Sequence, residues 1–237
     1  MRQWLTFGGS DTRDFGVYIS GSGVYDAPAR VYEEITVPGR NGILLGSEKR
    51  LESVELTYPA FIYRDFAKNI QNFKGMLYSK SGFQELVDTY NPDEYRMAMF
   101  AGGLEIETDP VLSGGHFDLT FICRPERFLF LGTVPLVSTG DQMVAYNPTE
   151  FDARPLIRVF GTGSLTVNDT TITITEASEY TDIDCDLMEA FKGDYSRNAY
   201  VEIDGNEFPV LSPGDNVITR ASSAISKIEI TPRWWRL

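Results

Sequence analysis

The chain has 237 residues, 42% of them hydrophobic and 13% aromatic, with 34 acidic against 21 basic side chains and a net charge of −13. That is enough apolar material for one large domain or two small ones. The acid excess argues against a nucleic-acid surface or an anionic membrane face, both of which need clustered Lys and Arg. No apolar run approaches the roughly 18 residues of a membrane span; residues 128–137 are interrupted by Gly132 and Pro135. The N-terminus turns polar at Gly8-Gly9-Ser10-Asp11, too soon for a secretory core. Cys123 and Cys185 lie far apart with no C-x-x-C pairing, and they read as buried thiols made in a reducing compartment. The expectation is a soluble, acidic protein made inside the cell.

In chain order, residues 30–37 carry strand signals through Val31, Ile35 and Val37 before the tight turn Pro38-Gly39-Arg40-Asn41-Gly42. Residues 53–63 alternate as Val54, Leu56, Tyr58, Ala60 and Ile62. A helix is expected near 64–78, where Phe66, Ile70, Phe73 and Leu77 form one apolar stripe and Gly82 follows as a stop. Phe83, Leu86 and Val87 make too short a pattern to assign. Strands return at 95–100, 104–108 and 116–123, joined by turns at Asp109-Pro110 and Ser113-Gly114-Gly115.

Residues 131–152 mix Gly, Pro, Ser, Thr and Asn, so a domain boundary is expected there, giving domains 1–140 and 141–237 with the acidity spread over both. The second domain reads as an all-β sandwich or jelly roll. Leu165 and Val167 answer Ile172 and Ile174 across Asn168-Asp169-Thr170-Thr171, a hairpin by alternation and turn chemistry. Gly161-Thr162-Gly163 reads as a bend between strands. Ile183, Cys185 and Leu187 alternate with Asp182, Asp184 and Asp186, suggesting an apolar inner face and an acidic wet face. Residues 200–203 lead through Asp204-Gly205 to a strand at 208–211. Pro213-Gly214-Asp215-Asn216 turns into Val217-Ile218, and 228–235 is the last strand. The fold class is mainly β, a β-rich α+β chain with one or two helices in its first domain.

The sequence offers little catalysis. It contains no nucleotide-binding glycine loop, no H-E-x-x-H and no G-x-S-x-G. A single histidine with no close cysteine pair does not make a zinc site, and His116, at a strand start after Gly114-Gly115, reads as packed or solvated. The Asp182–Asp184–Asp186 spacing imitates an EF-hand opening, but Leu187 and Gly193 stand where that loop needs Gly and Glu. The glycosylation sequon at Asn168 reads as accidental. No catalytic residue, cofactor or metal is assigned, and the chain is expected not to be an enzyme. Trp234 and Trp235 could stack on sugar rings, or form a terminal strand with one indole in the core and one at the surface.

Several phrases together resemble the distal tail protein of long-tailed (siphovirus) phages, the siphovirus tail-component family. They are Asp11-Thr12-Arg13-Asp14-Phe15-Gly16-Val17-Tyr18, Val37-Pro38-Gly39-Arg40-Asn41-Gly42, Asn91-Pro92-Asp93-Glu94-Tyr95-Arg96, and residues 117–125 ending in Arg124-Pro125. The second domain adds residues 154–163 and 208–216, all in the family's order. The resemblance implies an N-terminal ring-forming β domain followed by a C-terminal galectin-like β-sandwich. It further implies a ring hub of the phage tail tip, a homohexamer or two stacked rings. That hub would join the tail tube protein to a tail-associated lysin or tail fibre protein and to receptor-binding or baseplate proteins. DNA would pass through its centre without specific nucleic-acid binding, and nothing would insert into a membrane. The location implied is the virion tail tip, with synthesis in the bacterial host cytoplasm or from a prophage. Pro38, Gly39, Arg40, Asn41 and Gly42 would then be either a subunit or partner contact or simply a good hairpin turn. The alternatives are a carbohydrate-binding module for host cell-wall saccharide, using Trp234 or Trp235, and a glycan-cleaving enzyme with an acidic pair. The net charge would either line the channel and repel phosphates or serve solubility before assembly.

Overall fold

The computed structural model describes residues 2–21, 23–63, 65–109, 114–176 and 178–237, the side chains of Ser47, Glu48, Lys49 and Asn206 excepted. Arg64, Pro110 and Ser113, expected at a helix start and in turns, lie outside these residues. The chain divides into two compact units, Met1–Arg127 with Leu237, and Phe128–Arg236.

The first unit is built on a sheet in the order Ser10–Asp11, Leu5–Phe7, Gln84–Asp88, Glu94–Phe100, Gly114–Leu129, Val54–Tyr63 and Val17–Ile19. Strict alternation builds its core. Val54, Leu56, Tyr58, Ala60 and Ile62 are buried and meet Phe117, Leu119, Phe121 and Cys123 from the antiparallel neighbour. A bridge between Gln3 and Ile19, with the Ile19 N–H donating to the Gln3 carbonyl at 2.9 Å, links the two ends of the sheet. Closure of this kind leaves fewer unpaired edges for aggregation.

The expected helix is present as Phe66–Ser79, with Ile70, Phe73, Met76 and Leu77 buried and Phe66 partly so. Its stripe packs into the first-unit core, where the Phe73 ring lies 5.9 Å from both Phe15 and Phe117. Asp65 precedes it in a left-handed conformation and gives no side-chain cap, so tertiary burial rather than capping holds the helix. Lys80 turns extended, and Gly82 follows at φ 67.

Several elements differ from expectation. Ile43–Leu51 and Gln84–Asp88 are strands where none was assigned. The 104–108 strand reduces to Glu107–Asp109, and the 116–123 strand continues through Pro125 to Leu129. The division between units falls after Arg127 rather than after residue 140. Beyond it, Leu136–Ser138 pairs with Ile225–Thr231 and Gln142–Asn147 with Gly214–Arg220, so the polar stretch is sandwich edge rather than linker.

The second unit packs two sheets over one core. One runs Leu136–Ser138, Ile225–Thr231, Leu156–Gly161, Thr181–Asp184, Glu189–Lys192, Tyr195–Ser196. The other runs Gln142–Asn147, Gly214–Arg220, Gly163–Val167, Thr170–Ile174, Val201–Ile203. Ile157, Val159, Ile183, Ile228 and Ile230 face Leu165, Val167, Ile172, Ile174 and Ile218 within a single buried cluster. The chain crosses between sheets at Gly161-Thr162-Gly163. A Cβ on Gly161 (φ 114) would stand 2.0 Å from the Ala224 carbonyl oxygen, so only glycine fits. The expected hairpin forms with Leu165 opposite Ile172, its turn opened by Asn168 at φ 51.

Three expectations fail here for clear reasons. Residues 208–211 form no strand apart from an Ala153–Leu211 bridge, since Pro209 lacks the N–H a ladder needs. The terminal strand splits into Ile225–Thr231 and Trp235–Arg236, because Pro232 and left-handed Arg233 (φ 59) interrupt it. The acidic face of residues 182–187 is not uniformly wet. Asp182 and Asp184 are buried beneath arginines, whereas Leu187 is exposed.

Candidate assembly surfaces

The most exposed apolar structure in the first unit is a hairpin. Arg30–Thr36 pairs antiparallel with Ile43–Leu51 as a two-stranded sheet of its own, with Thr36 opposite Ile43 and Ile35 opposite Leu44. Val37-Pro38-Gly39-Arg40 closes it. Pro38 presets the first corner, Gly39 supplies φ 82, and the Arg40 N–H donates to the Val37 carbonyl at 3.1 Å. Gly42 (φ 84) completes the reversal. The turn residues Pro38, Gly39, Arg40, Asn41 and Gly42 are all exposed at its tip.

Side chains alternate across the ribbon, so Tyr32, Ile43 and Leu45 share one face while Ile35 and Leu44 share the other. Both faces are open: Leu45 on one is 60% exposed and Ile35 on the other 43%. An isolated two-stranded ribbon is marginal in water, and apolar exposure on both faces marks an interaction surface rather than a core element. The first strand and the tip were legible from residue type and the second strand was not, although the Ile43-Leu44-Leu45 run after Gly42 was its available signal.

A second surface lies on the solvent side of the first-unit sheet. Tyr18, Phe61 and His116 stand opposite one another on three neighbouring strands, with Tyr63 two residues beyond Phe61. The rings of Tyr18 and Phe61 are 5.9 Å apart, Tyr18 and Tyr63 5.7 Å, and Phe61 and His116 6.4 Å. The Arg2 guanidinium caps the row, 4.4 Å from the Tyr63 ring centre, and bonds the Tyr63 hydroxyl. His116 is thus an exposed member of an aromatic row. Sequence reading missed this row because its members are joined by register across strands, not by spacing along the chain.

The remaining candidates serve the fold. Trp234 is 3% exposed, inside the second-unit core, and offers no ring face to a sugar. Trp235 is partly buried, stacks on Phe151 at 4.3 Å and donates its indole N–H to the Asp152 carbonyl. Asp182 accepts from Arg158 at 2.7 and 2.9 Å, and Asp184 is held by both terminal nitrogens of Arg233 at 2.7 Å. Burial pushes the Asp184 carboxyl up, but the Arg233 bonds and the Asp186 and Leu187 N–H groups outweigh it, leaving its pKa below the ordinary value. The Asn168 side chain is engaged, donating to Asn216 at 2.8 Å and accepting from the Val217 N–H. Both cysteines are free and buried, and burial pushes their thiols up to about 12. Among the described residues no cluster of three His, Cys, Asp or Glu side chains could hold a metal ion, and no helix is long and apolar enough to cross a membrane.

No protein-family model and no curated protein sequence matches the chain. Solved structures do. SPP1 Dit (gp 19.1), described as a paradigm of the hub adsorption apparatus in phages infecting Gram-positive bacteria, superposes with a TM-score of 0.73 at 13% identity, covering 96% of this chain and 97% of that one. The phage p2 baseplate in its activated, strontium-bound conformation contains a chain similar at a TM-score of 0.53 and 9% identity, covering 97% and 96%. Both units, in this order and along nearly their whole length, have the fold of the SPP1 Dit hub protein.

Proposed function

We propose that the chain is a structural component of a phage tail tip. In this reading its first units assemble side by side into a hexameric ring, possessing a central opening for DNA, while the sandwiches meet neighbouring components. The partners are the tail tube protein on one side and, on the other, a tail-associated lysin or tail fibre and receptor-binding or baseplate proteins. The role needs no catalysis, and its location is the virion tail tip. The observation that carries the reading is the full-length fold match to a hub protein spanning both units. The exposed hairpin supports it, because a cyclic ring of more than two identical copies is held by contacts between unlike surfaces, and the hairpin is an exposed apolar surface available for one side of such a contact. An acidic lumen, in a chain of net charge −13, would let DNA pass without sticking. Negative-stain images of the purified chain test the reading: annular particles with a central opening are expected, and uniformly small single-chain particles would overturn it.

A further inference from the structure

We infer that the aromatic row Tyr18–Phe61–His116, with Tyr63 and Arg2, is the receiving surface for the hairpin of a second copy of this chain. The inference rests on the ring reading and specifies its contact. The two surfaces are unlike, and each is incomplete alone. The hairpin exposes Tyr32, Ile43 and Leu45 together on one face, so that face is suited to lie on a flat apolar pavement. The row supplies one: Tyr18, Phe61 and Tyr63 lie within 27° of parallel to one another, fixed across paired strands. Rings already immobilised by their neighbours lose little freedom on binding, so contact area is gained at low entropic cost.

Charge agrees with the assignment. Exposed Glu34, on the Tyr32 and Leu45 face of the hairpin, has a counterpart in exposed Arg2 at the edge of the row, and exposed Arg40 at the tip has one in exposed Asp118, two residues beyond His116 on the same sheet face. Opposite charges at the rim set register and suppress wrong partners. Because the donor and receiver are different patches, the contact is head-to-tail, and it closes into a ring where the rotation from copy to copy divides a full turn.

Complementation between two variants of the full chain tests this. Leu45→Glu with Tyr32→Glu removes the hairpin's apolar face; Phe61→Glu removes the centre of the row. Each variant alone is expected to be monomeric, with a circular dichroism melt close to the parent's. Mixed in equal amounts, they retain one intact hairpin and one intact row, and chemical cross-linking is expected to give a heterodimer and nothing larger. His116→Glu, at an exposed position, is the milder second variant and is expected to weaken assembly at least about tenfold. Parent-sized assemblies from Phe61→Glu and His116→Glu would overturn this inference and leave the ring reading standing. A parent chain that stays monomeric at every concentration would overturn both.

Discussion

The Asp184–Arg233 pair gives the sharpest test of how the second unit is held together. The Asp184 carboxylate, 4% exposed, accepts from both terminal nitrogens of Arg233 at 2.7 Å and from the Asp186 and Leu187 N–H groups at 3.0 and 3.1 Å. It therefore anchors the C-terminal segment to the sheet while closing the turn after Thr181–Asp184. Breaking a fully buried pair by removing one partner costs about 3–5 kcal/mol. The Arg233 side chain keeps 29% of its surface in water, so part of its charge can be resolvated. Asp184→Ala is accordingly expected to cost about 2–4 kcal/mol. The assay is urea unfolding in a Trp4→Phe background, where Trp234 and Trp235 report the second unit alone. Because the folded-state pKa of Asp184 is lowered, its stabilisation is present above the ordinary carboxylate range and is lost as pH falls through the folded value. The gap between parent and variant therefore narrows in acid. A cost under about 1 kcal/mol at neutral pH, or a gap that widens on acidification, would refute the reasoning.

Phe73 is fully buried between Phe15 and Phe117, so Phe73→Ala is expected to destabilise the first unit by about 3–5 kcal/mol, read from Trp4 fluorescence during denaturation. Gly161→Ala meets both a positive φ and a carbonyl oxygen; a loss of at least about 1–3 kcal/mol is expected in the second unit, and an unchanged melt would contradict the sheet crossing. With both thiols pushed up to about 12 and buried, Cys123 and Cys185 are expected to react with a chromogenic disulfide reagent at neutral pH only after denaturant is added.

Legibility in the sequence followed periodicity. The helix stripe of Ile70, Phe73 and Leu77 and the alternation from Val54 to Ile62 were readable because each is a local pattern facing one core. Elements whose partners are distant were not. Among the described residues Ile43–Leu51 pairs only with its own hairpin mate, and it carries apolar residues on both faces, so no inside–outside pattern marks it. Asp182 and Asp184 looked like a wet face because alternation shows which side chains share a side, not that Arg158 and Arg233 cover that side. The same limit governed the assembly surfaces. The turn at Pro38-Gly39 announces itself by residue type, whereas the row through Tyr18, Phe61 and His116 exists only once three strands are in register.

The central claim is that identical copies close into a ring, and the mass of the purified chain in solution tests it most directly. Light scattering coupled to size exclusion, over a range of concentrations, is expected to give a species of six 26.6 kDa chains, or twice that for stacked rings. A single 26.6 kDa species persisting at high micromolar concentration would contradict it.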